Sequence, residues 1–333
     1  MSEATVGVAF VGAGSVAEMH GRGVAINPQA KLIGVYDPQT ARAKALAKKF
    51  GGRVFRSLDE ILVDKQVQAV HVLTPPEHHV PTAVASLAAG KHVLLEKPIT
   101  RTIAEIRRLQ AAARKANRVC MPAHNYIYMP SVQRAKRLIE NGSLGTISSF
   151  WFVYNIYHSE EVASRYGGVI RVVCIHHAYS LFYLLGRPRR VMAAASTVHY
   201  KKLSCEDQVM MVCEMPGGTL ANLWCSFAAN DLSNDPWTVV FKLLGERGGL
   251  TFSWNEAQYM DDRAPGWGFP CYEEGFANEI DHFIARCILK GEPPLSSLDD
   301  ALDALRFIEA AERSVRLKRS VEFAEFGWPS ATL

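Results

Sequence analysis

No uninterrupted apolar run in the sequence approaches the ~20 residues that a membrane-spanning helix requires. The opening Met1-Ser-Glu-Ala-Thr5 lacks the basic stretch and apolar core of a secretory signal, so a cytoplasmic protein is expected. Charge of one sign is scarce: 37 basic against 33 acidic residues leave a formal net charge of +4. That is too little to suggest a nucleic-acid surface, and neither nucleic acid nor membrane is expected as a partner. Seven cysteines, an odd number scattered from Cys120 to Cys287, do not form a disulfide framework and read as reduced thiols. There is no repeat at a fixed period and no low-complexity segment. With 48% apolar and 21% charged residues, 24 Gly and 16 Pro, the composition excludes disorder, collagen-like repeats and coiled coil. What is present is a globular chain of 333 residues, long enough for two domains.

The first third alternates strand and helix. Val6–Val11 is a continuous apolar, β-rich run that stops at Gly12, as a buried parallel strand should. A helix over Val16–Ile26, a strand over Lys31–Tyr36 and a helix over Thr40–Phe50 follow. The rhythm continues with strand Val67–Leu73, helix Val80–Ala89, strand His92–Leu95, helix Ile103–Ala116 and a short strand Val119–Ala123. Such alternation predicts right-handed βαβ units in a doubly wound parallel sheet over residues 1–124.

Beyond Asn125 the pattern changes. A helix over Ser131–Glu140 precedes long strand-like runs at Ser148–Tyr157, Val191–His199, Gln208–Glu214, Thr219–Phe227, Trp237–Leu244 and Leu250–Trp254. Helices are expected at Ile170–Leu185, Phe276–Leu289 and Leu298–Leu317. Several of the strands alternate large apolar and polar residues. Residues 125–333 therefore read as an α+β domain with a large, mostly antiparallel open sheet.

Gly12-Ala13-Gly14-Ser15-Val16-Ala17, directly after the first strand, has the G-x-G-x-x-G/A pattern. Gly12 permits a tight turn, Gly14 lets a pyrophosphate approach the backbone, and Ala17 allows close helix–strand packing. The following helix start offers free N–H groups and a positive dipole end to phosphates. The next strand ends in Asp37, whose carboxylate can accept both ribose hydroxyls and repels a 2′-phosphate, favouring NAD; the nearby Arg42 keeps NADP open. A plain turn carboxylate before Pro38 is the bland reading of Asp37. Thr74-Pro75-Pro76 ends another strand on the same carboxyl edge, where open α/β folds hold ligands, or is simply a proline-rich loop. Adjacent His78 and His79 diverge on a helix and are not joined by a second ligand pair, so no metal is expected. Glu96-Lys97-Pro98 lies past a further strand on that edge. A lysine there can bond a substrate hydroxyl, and near a cationic nicotinamide its pKa should fall toward a usable acid/base value. In isolation the dipeptide is a solvated surface pair.

These residues together resemble the glucose–fructose oxidoreductase/inositol dehydrogenase (Gfo/Idh/MocA) family. The matching stretches are Gly12 to His20, Asp37, Thr74-Pro75-Pro76 with His79, and Gly90-Lys-His-Val-Leu-Leu-Glu96-Lys97-Pro98. Gly142-Ser-Leu-Gly145, Tyr166-Gly-Gly168 with Ile175-His176-His177, Leu298-Asp-Asp-Ala301 and Ala310-Ala-Glu-Arg-Ser314 extend the likeness over nearly the whole chain. The resemblance implies a Rossmann domain, an α+β domain used in homodimer or homotetramer contacts, and NAD(P)-linked hydride transfer on a sugar, aminosugar, inositol or related polyol. It implies catalytic roles for Lys97 and His176. Cofactor contacts fall to Gly12, Ala13, Gly14, Ser15, Val16, Asp37, Thr74, Pro75, His79, Glu96 and Lys97. Substrate contacts fall to Lys97, Asn125, Tyr126, Tyr166, His176 and His177. It also implies a cis Lys97-Pro98 peptide.

One departure stands out. The family usually carries an acid or amide four positions before the histidine, and here Val172 occupies that place. The usual arginine near the second domain's start is likewise replaced, in Asn125-Tyr-Ile-Tyr128. Either Lys97 and His176 suffice, or a tyrosine such as Tyr126, Tyr128 or Tyr179 substitutes, or the substrate is unusual. Two other classes follow as alternatives: redox-neutral chemistry through transient oxidation with tightly held NAD, or a catalytically impaired NAD-binding protein. Without the family, His176 reads as a half-buried core histidine, and His177 faces away from it because neighbours on a helix diverge by about 100°. The Arg107–Arg118 basic stretch reads as a solvated helix face, and Trp151-Phe-Val-Tyr154 as sheet packing or a subunit contact.

Overall fold

All six residues of β1, Val6–Val11, are buried, which is the burial pattern of a strand covered on both faces. The computed structural model to which it belongs describes residues 4–164, 167–228, 238–253 and 270–328. In chain order β1 is followed by α1 (Ser15–Ile26), β2 (Ala30–Tyr36), α2 (Thr40–Phe50), β3 (Arg53–Val54), α3 (Leu58–Val63), β4 (Ala69–Val72), α4 (His79–Ala88), β5 (His92–Leu95), α5 (Ile103–Ala116) and β6 (Cys120–Pro122). The strands form one parallel sheet in the order β3-β2-β1-β4-β5-β6. Local chemistry sets the helix ends. Thr102 and Glu105 form a reciprocal capping box at the start of α5, and Asn117 closes it in a left-handed conformation at φ 49°.

The chain continues through α6 (Pro130–Glu140), β7 (Ile147–Asn155), α7 (Glu160–Ala163), α8 (Val169–Val172), α9 (Cys174–Leu185), β8 (Arg190–Ser196), β9 (Gln208–Glu214), β10 (Leu220–Ser226), β11 (Thr238–Gly245) and β12 (Gly248–Ser253). After α10 (Pro270–Asp281) and a π-helical stretch His282–Ile288 come α11 (Leu298–Leu317) and β13 (Val321–Glu322). The second sheet has seven strands ordered β12-β11-β7-β10-β9-β8-β13. It is antiparallel except for the β7–β10 pair, which runs parallel. The expected fold class therefore stands, a Rossmann sheet and a mostly antiparallel one. The helix expected over Ile170–Leu185 is broken into α8 and α9 at Val173, whose φ of −106° departs from helical values. Trp237 and Trp254, expected at strand ends, and the site candidate Tyr166 lie outside the described residues.

The two compact units are not consecutive stretches. The first comprises Met1–Tyr128 and Glu273–Leu302, the second Met129–Tyr272 and Asp303–Leu333. A single division at residue 124 differs from this by 125–128 and by the returning segment. That return is a packing event that no local pattern announces. Gly23 on α1 makes room for Ile280: a Cβ at Gly23 would lie 2.5 Å from the Ile280 Cδ1. Arg22 pairs with Glu273 at 3.3 Å, and Asn27 donates to Asp281 at 3.1 Å. Asn278 donates to the Tyr128 carbonyl at 3.1 Å.

In the second unit the sheet's two faces differ. Val209, Met211 and Cys213 of β9 point inward and are buried, whereas Met210 and Val212 between them are exposed. The buried α9, with ten of its twelve residues inaccessible, packs His177 against Phe152 of β7 with ring centroids 3.8 Å apart. Among the described residues no helix is long and apolar enough to cross a membrane.

Candidate active site

Each parallel strand of the first sheet delivers a loop to its carboxyl edge. At the end of β1, Gly12 adopts φ +104°, and a Cβ there would sit 2.4 Å from the Leu73 carbonyl oxygen, so only glycine fits. Gly14 is the reverse: exposed, with nothing within 4 Å of where its Cβ would be. It is the N-cap of α1 and supplies no capping side chain, which leaves the first-turn N–H groups of Ser15 and Val16 open to a ligand. The Asp37 carboxylate accepts the Ala13 N–H at 2.8 Å through one oxygen and the Gln39 N–H at 2.8 Å through the other. Asp37 is thus built into the glycine loop and is more than a turn carboxylate. Beyond β4, the Thr74 hydroxyl oxygen is buried with no hydrogen-bond partner, and Pro75 beside it is exposed. An open glycine cradle, uncapped helix N–H groups, a loop-bound carboxylate and an orphaned hydroxyl fit a dinucleotide.

Past β5, Glu96 is buried and its two oxygens hold different partners. Oε1 lies 3.0 Å from His20 Nε2, and Oε2 accepts the Lys97 main-chain N–H at 2.9 Å. His20 Nδ1 in turn meets His71 Nδ1 at 3.1 Å. The Lys97-Pro98 peptide is cis, as expected. Burial draws the Lys97 pKa below its ordinary value, while the Glu96 charge works against that shift. No nicotinamide is needed for the direction, because desolvation of the ammonium already supplies it.

Three groups around the His20, Glu96 and Lys97 side chains were not legible as site residues. His124, fully buried, bonds Ser296 Oγ at 2.6 Å, and burial together with the Lys97 charge lowers its pKa to about 3. Glu279 from the returning segment is fully buried, with neither carboxyl oxygen hydrogen-bonded. Burial and the Glu96 charge hold its pKa well above the ordinary carboxylate value. His71 is the third, its pKa pushed down by burial and by His20. In the sequence only the approach of residues 273–302 to the first sheet would have flagged Glu279 and Ser296. Asn125 and Tyr126 sit in a short 3-10 turn of the same unit, both buried. His79 is also buried and contacts main-chain carbonyls, whereas His78 is exposed, so the two do diverge.

In the second unit, His176 lies on the first turn of α9 and its Nδ1 meets the Tyr179 hydroxyl one turn along. Both side chains are buried. Val172, half-buried at the end of α8, supplies no polar group. His177 faces the other way, as expected. Its Nε2 is 3.3 Å from the Trp224 carbonyl, and the Cys225 sulfur approaches the ring at 3.3 Å. Burial lowers the His177 pKa to about 4. Cys174 Sγ lies 3.5 Å from Cys225 Sγ, so these two thiols and His177 form a compact cluster in the core.

Comparison with known proteins matches residues 6–124 to the Gfo/Idh/MocA oxidoreductase family, described as an NAD-binding Rossmann fold, and residues 132–251 to the Gfo/Idh/MocA C-terminal domain. Inositol 2-dehydrogenase of Rhizobium meliloti is 27% identical, over 96% of this chain and all of that one. D-apiose dehydrogenase of Paraburkholderia graminis is 25% identical over 88% of this chain and 83% of its own. Among solved structures, GenD2 from gentamicin A biosynthesis, in complex with NAD, superposes with a TM-score of 0.83 at 26% identity and covers 97% of each chain.

Proposed function

The chain belongs to the Gfo/Idh/MocA oxidoreductase family, and on that premise we propose that it transfers a hydride between NAD and a carbinol or carbonyl carbon of a sugar, aminosugar, inositol or related polyol. The observation that carries this reading is the Glu96-Lys97 edge: a lysine whose ammonium is desolvated, on a turn braced by Glu96, with only β4 between its strand and the one that ends in the glycine cradle. The whole-length likeness to an inositol dehydrogenase and to a D-apiose dehydrogenase supports the substrate class.

Nicotinamide supplies or accepts the hydride at its C4. The chain's own residues do the remaining work. The uncapped main-chain N–H groups of Ser15 and Val16 at the start of α1 would hold the pyrophosphate, with Gly12 and Ala13 shaping the loop through their bonds to Tyr36 and Asp37, and Asp37 would accept the ribose hydroxyls with the lone pairs its own loop leaves free. Thr74 and Pro75 flank the same edge, with the unsatisfied Thr74 hydroxyl available to a coenzyme amide or phosphate. Lys97 takes the hydroxyl proton during oxidation and returns it during reduction. Burial lowers its pKa and so makes the neutral amine easier to form than on an exposed lysine. His176 is the second catalytic side chain, and the Tyr179 hydroxyl orients its Nδ1 where the family's usual acid is replaced by Val172. Asn125 and Tyr126 are the proposed substrate contacts of the first unit; His177, turned from His176 into the core against Phe152 and Cys225, is not among them.

The assembly is a homo-oligomer on this reading. The outer face of the second sheet exposes Trp151 at 49%, Met192 at 58%, Met210 at 52% and Val212 at 50%. Trp151 and Val212 flank Asn222, and Met192 flanks Val212, so they form a continuous row across β7, β10, β9 and β8. A self-complementary apolar face of that kind suits a second copy of the chain. The six described cysteines are all free, which supports a reducing compartment such as the cytoplasm.

The experiment is a reduction screen of NAD and NADP over sugars, aminosugars, inositols and nucleotide sugars, read at the nicotinamide absorbance. NADH formation with at least one polyol is expected. Tight NAD retention with no net reduction on any of them contradicts the dehydrogenase reading.

A further inference from the structure

His79 is 1% exposed and begins α4, between the two loops that flank the candidate site. Its Nε2 lies 2.8 Å from the Thr74 carbonyl oxygen, and its Nδ1 lies 2.9 Å from that of Pro98 and 3.3 Å from that of Ile99. All three partners are main-chain oxygens, which accept and never donate. A neutral imidazole has one N–H and satisfies one end only, presenting a lone pair to a carbonyl at the other. The ring spans both ends only when both nitrogens carry protons. Thr74 is also the residue whose neighbour Leu73 packs against Gly12, and Pro98 follows Lys97 directly. One ring therefore bridges the glycine loop's support to the lysine turn.

We propose that His79 is a positioning residue: its ring bridges the Thr74 loop and the Lys97-Pro98 turn, and uptake of a second proton closes the clasp and fixes the spacing of the two segments. This rests on the functional reading above, in which one segment holds the coenzyme and the other moves the proton. The family likeness had placed His79 among the cofactor contacts; its burial and its three carbonyl partners give it a different task. Burial draws the pKa of the ring below its ordinary value; the three carbonyls and Glu96 past the end of β5 oppose that without cancelling it, so the second proton is one the ring gains as the clasp closes. Glu96 is the titratable group acting on the ring; its contacts from the Thr74 loop and from the turn after Lys97 are main-chain carbonyls. By contrast, the burial of His124 is reinforced by the Lys97 charge, and no carboxylate acts on His177.

The test is nitrogen-detected NMR of the imidazoles in the full chain, followed down in pH, with a His79→Gln variant to identify the resonance. The His79 ring is expected to take up its second proton at a higher pH than His124 and His177 do. A ring that stays neutral as far down as those two overturns the proposal. A second readout is calorimetric titration of NAD in buffers of different ionisation enthalpy. The wild-type chain is expected to take up a fraction of a proton as NAD binds. His79→Gln, whose amide reaches one carbonyl, takes up none and binds NAD about tenfold more weakly, the cost of one charge-assisted bond. Equal proton uptake in both proteins overturns the clasp. No NAD binding by the wild-type chain contradicts the functional reading instead, and the ring titration then decides the clasp.

Discussion

Glu96 stands between His20 and the main chain of Lys97, 3.0 Å from the imidazole through one oxygen and 2.9 Å from the amide nitrogen through the other. Both oxygens are engaged in holding structure, so the carboxylate braces the lysine turn and is not a proton carrier for substrate. Truncation leaves a buried imidazole and a buried N–H without their acceptor, at roughly 1–3 kcal/mol each. Glu96→Ala is therefore expected to lower thermal stability and to reduce kcat by about tenfold to a hundredfold, the equivalent of roughly 1.4–2.7 kcal/mol. NAD affinity measured by calorimetry should change much less. A variant with normal kcat removes the brace from the account.

Asp37 binds two main-chain N–H groups and faces the open glycine cradle. A carboxylate there attracts ribose hydroxyls and repels a 2′-phosphate. Asp37→Ala should weaken NAD by about tenfold or more, the loss of charge-assisted bonds. NADP should be weakened less, because the repulsion disappears with the carboxylate. Equal losses in side-by-side titrations contradict the ribose assignment.

The pH dependence of stability follows from His124. Its folded pKa of about 3 lies below the unfolded value near 6.5, so the unfolded chain binds the proton more readily. The stability due to the neutral ring is complete above that unfolded value and declines as pH falls through the window toward 3. The slope approaches about 1.4 kcal/mol per pH unit for one group. Denaturant titrations between pH 7 and pH 4 should show a shallower loss in His124→Asn than in the wild-type protein. Glu279 acts in the opposite sense, since its raised pKa favours the folded state at low pH and that contribution fades as pH rises. Parallel slopes in the two proteins would falsify the assignment to His124.

The exposed row on the second sheet predicts its own disruption. Val212→Glu places a charge at the centre of the Trp151–Asn222–Val212–Met192 row. Sedimentation should show a smaller species than the wild-type assembly, with the far-ultraviolet dichroism unchanged. A wild-type chain that sediments as a monomer sinks the proposed interface outright.

β1, β4 and β5 were readable as short, buried apolar runs, β1 stopping at Gly12, and the longer helices by their glycine ends and caps, as at Thr102, whereas the two-residue, largely exposed β3 and the single-turn-scale α3 carry too little pattern to be read. The family motifs led to Lys97, Asp37 and the glycine loop on one sheet edge. Three features resisted reading. The return of residues 273–302 to the first unit depends on the fit of Ile280 to Gly23, a contact between positions far apart in sequence. The buried His71–His20–Glu96 chain and the buried Glu279 look in sequence like ordinary polar residues, because burial is a tertiary property. The break at Val173 interrupts an apolar periodic segment that carries no glycine or proline to announce it. Tyr126, Tyr128 and Tyr179 are equivalent in sequence as stand-ins for the missing acid, and side-chain placement puts Tyr179 against His176.

The central claim is that the desolvated ammonium of Lys97 moves the substrate proton on an NAD-binding edge. The most direct measurement pairs NAD titration with single-turnover NADH formation in Lys97→Met, against a polyol that the wild-type enzyme oxidises. The account predicts NAD affinity within a few-fold of wild type and a rate lowered by at least about a hundredfold, in the range of a lost general base. A variant that oxidises the polyol at the wild-type rate contradicts it.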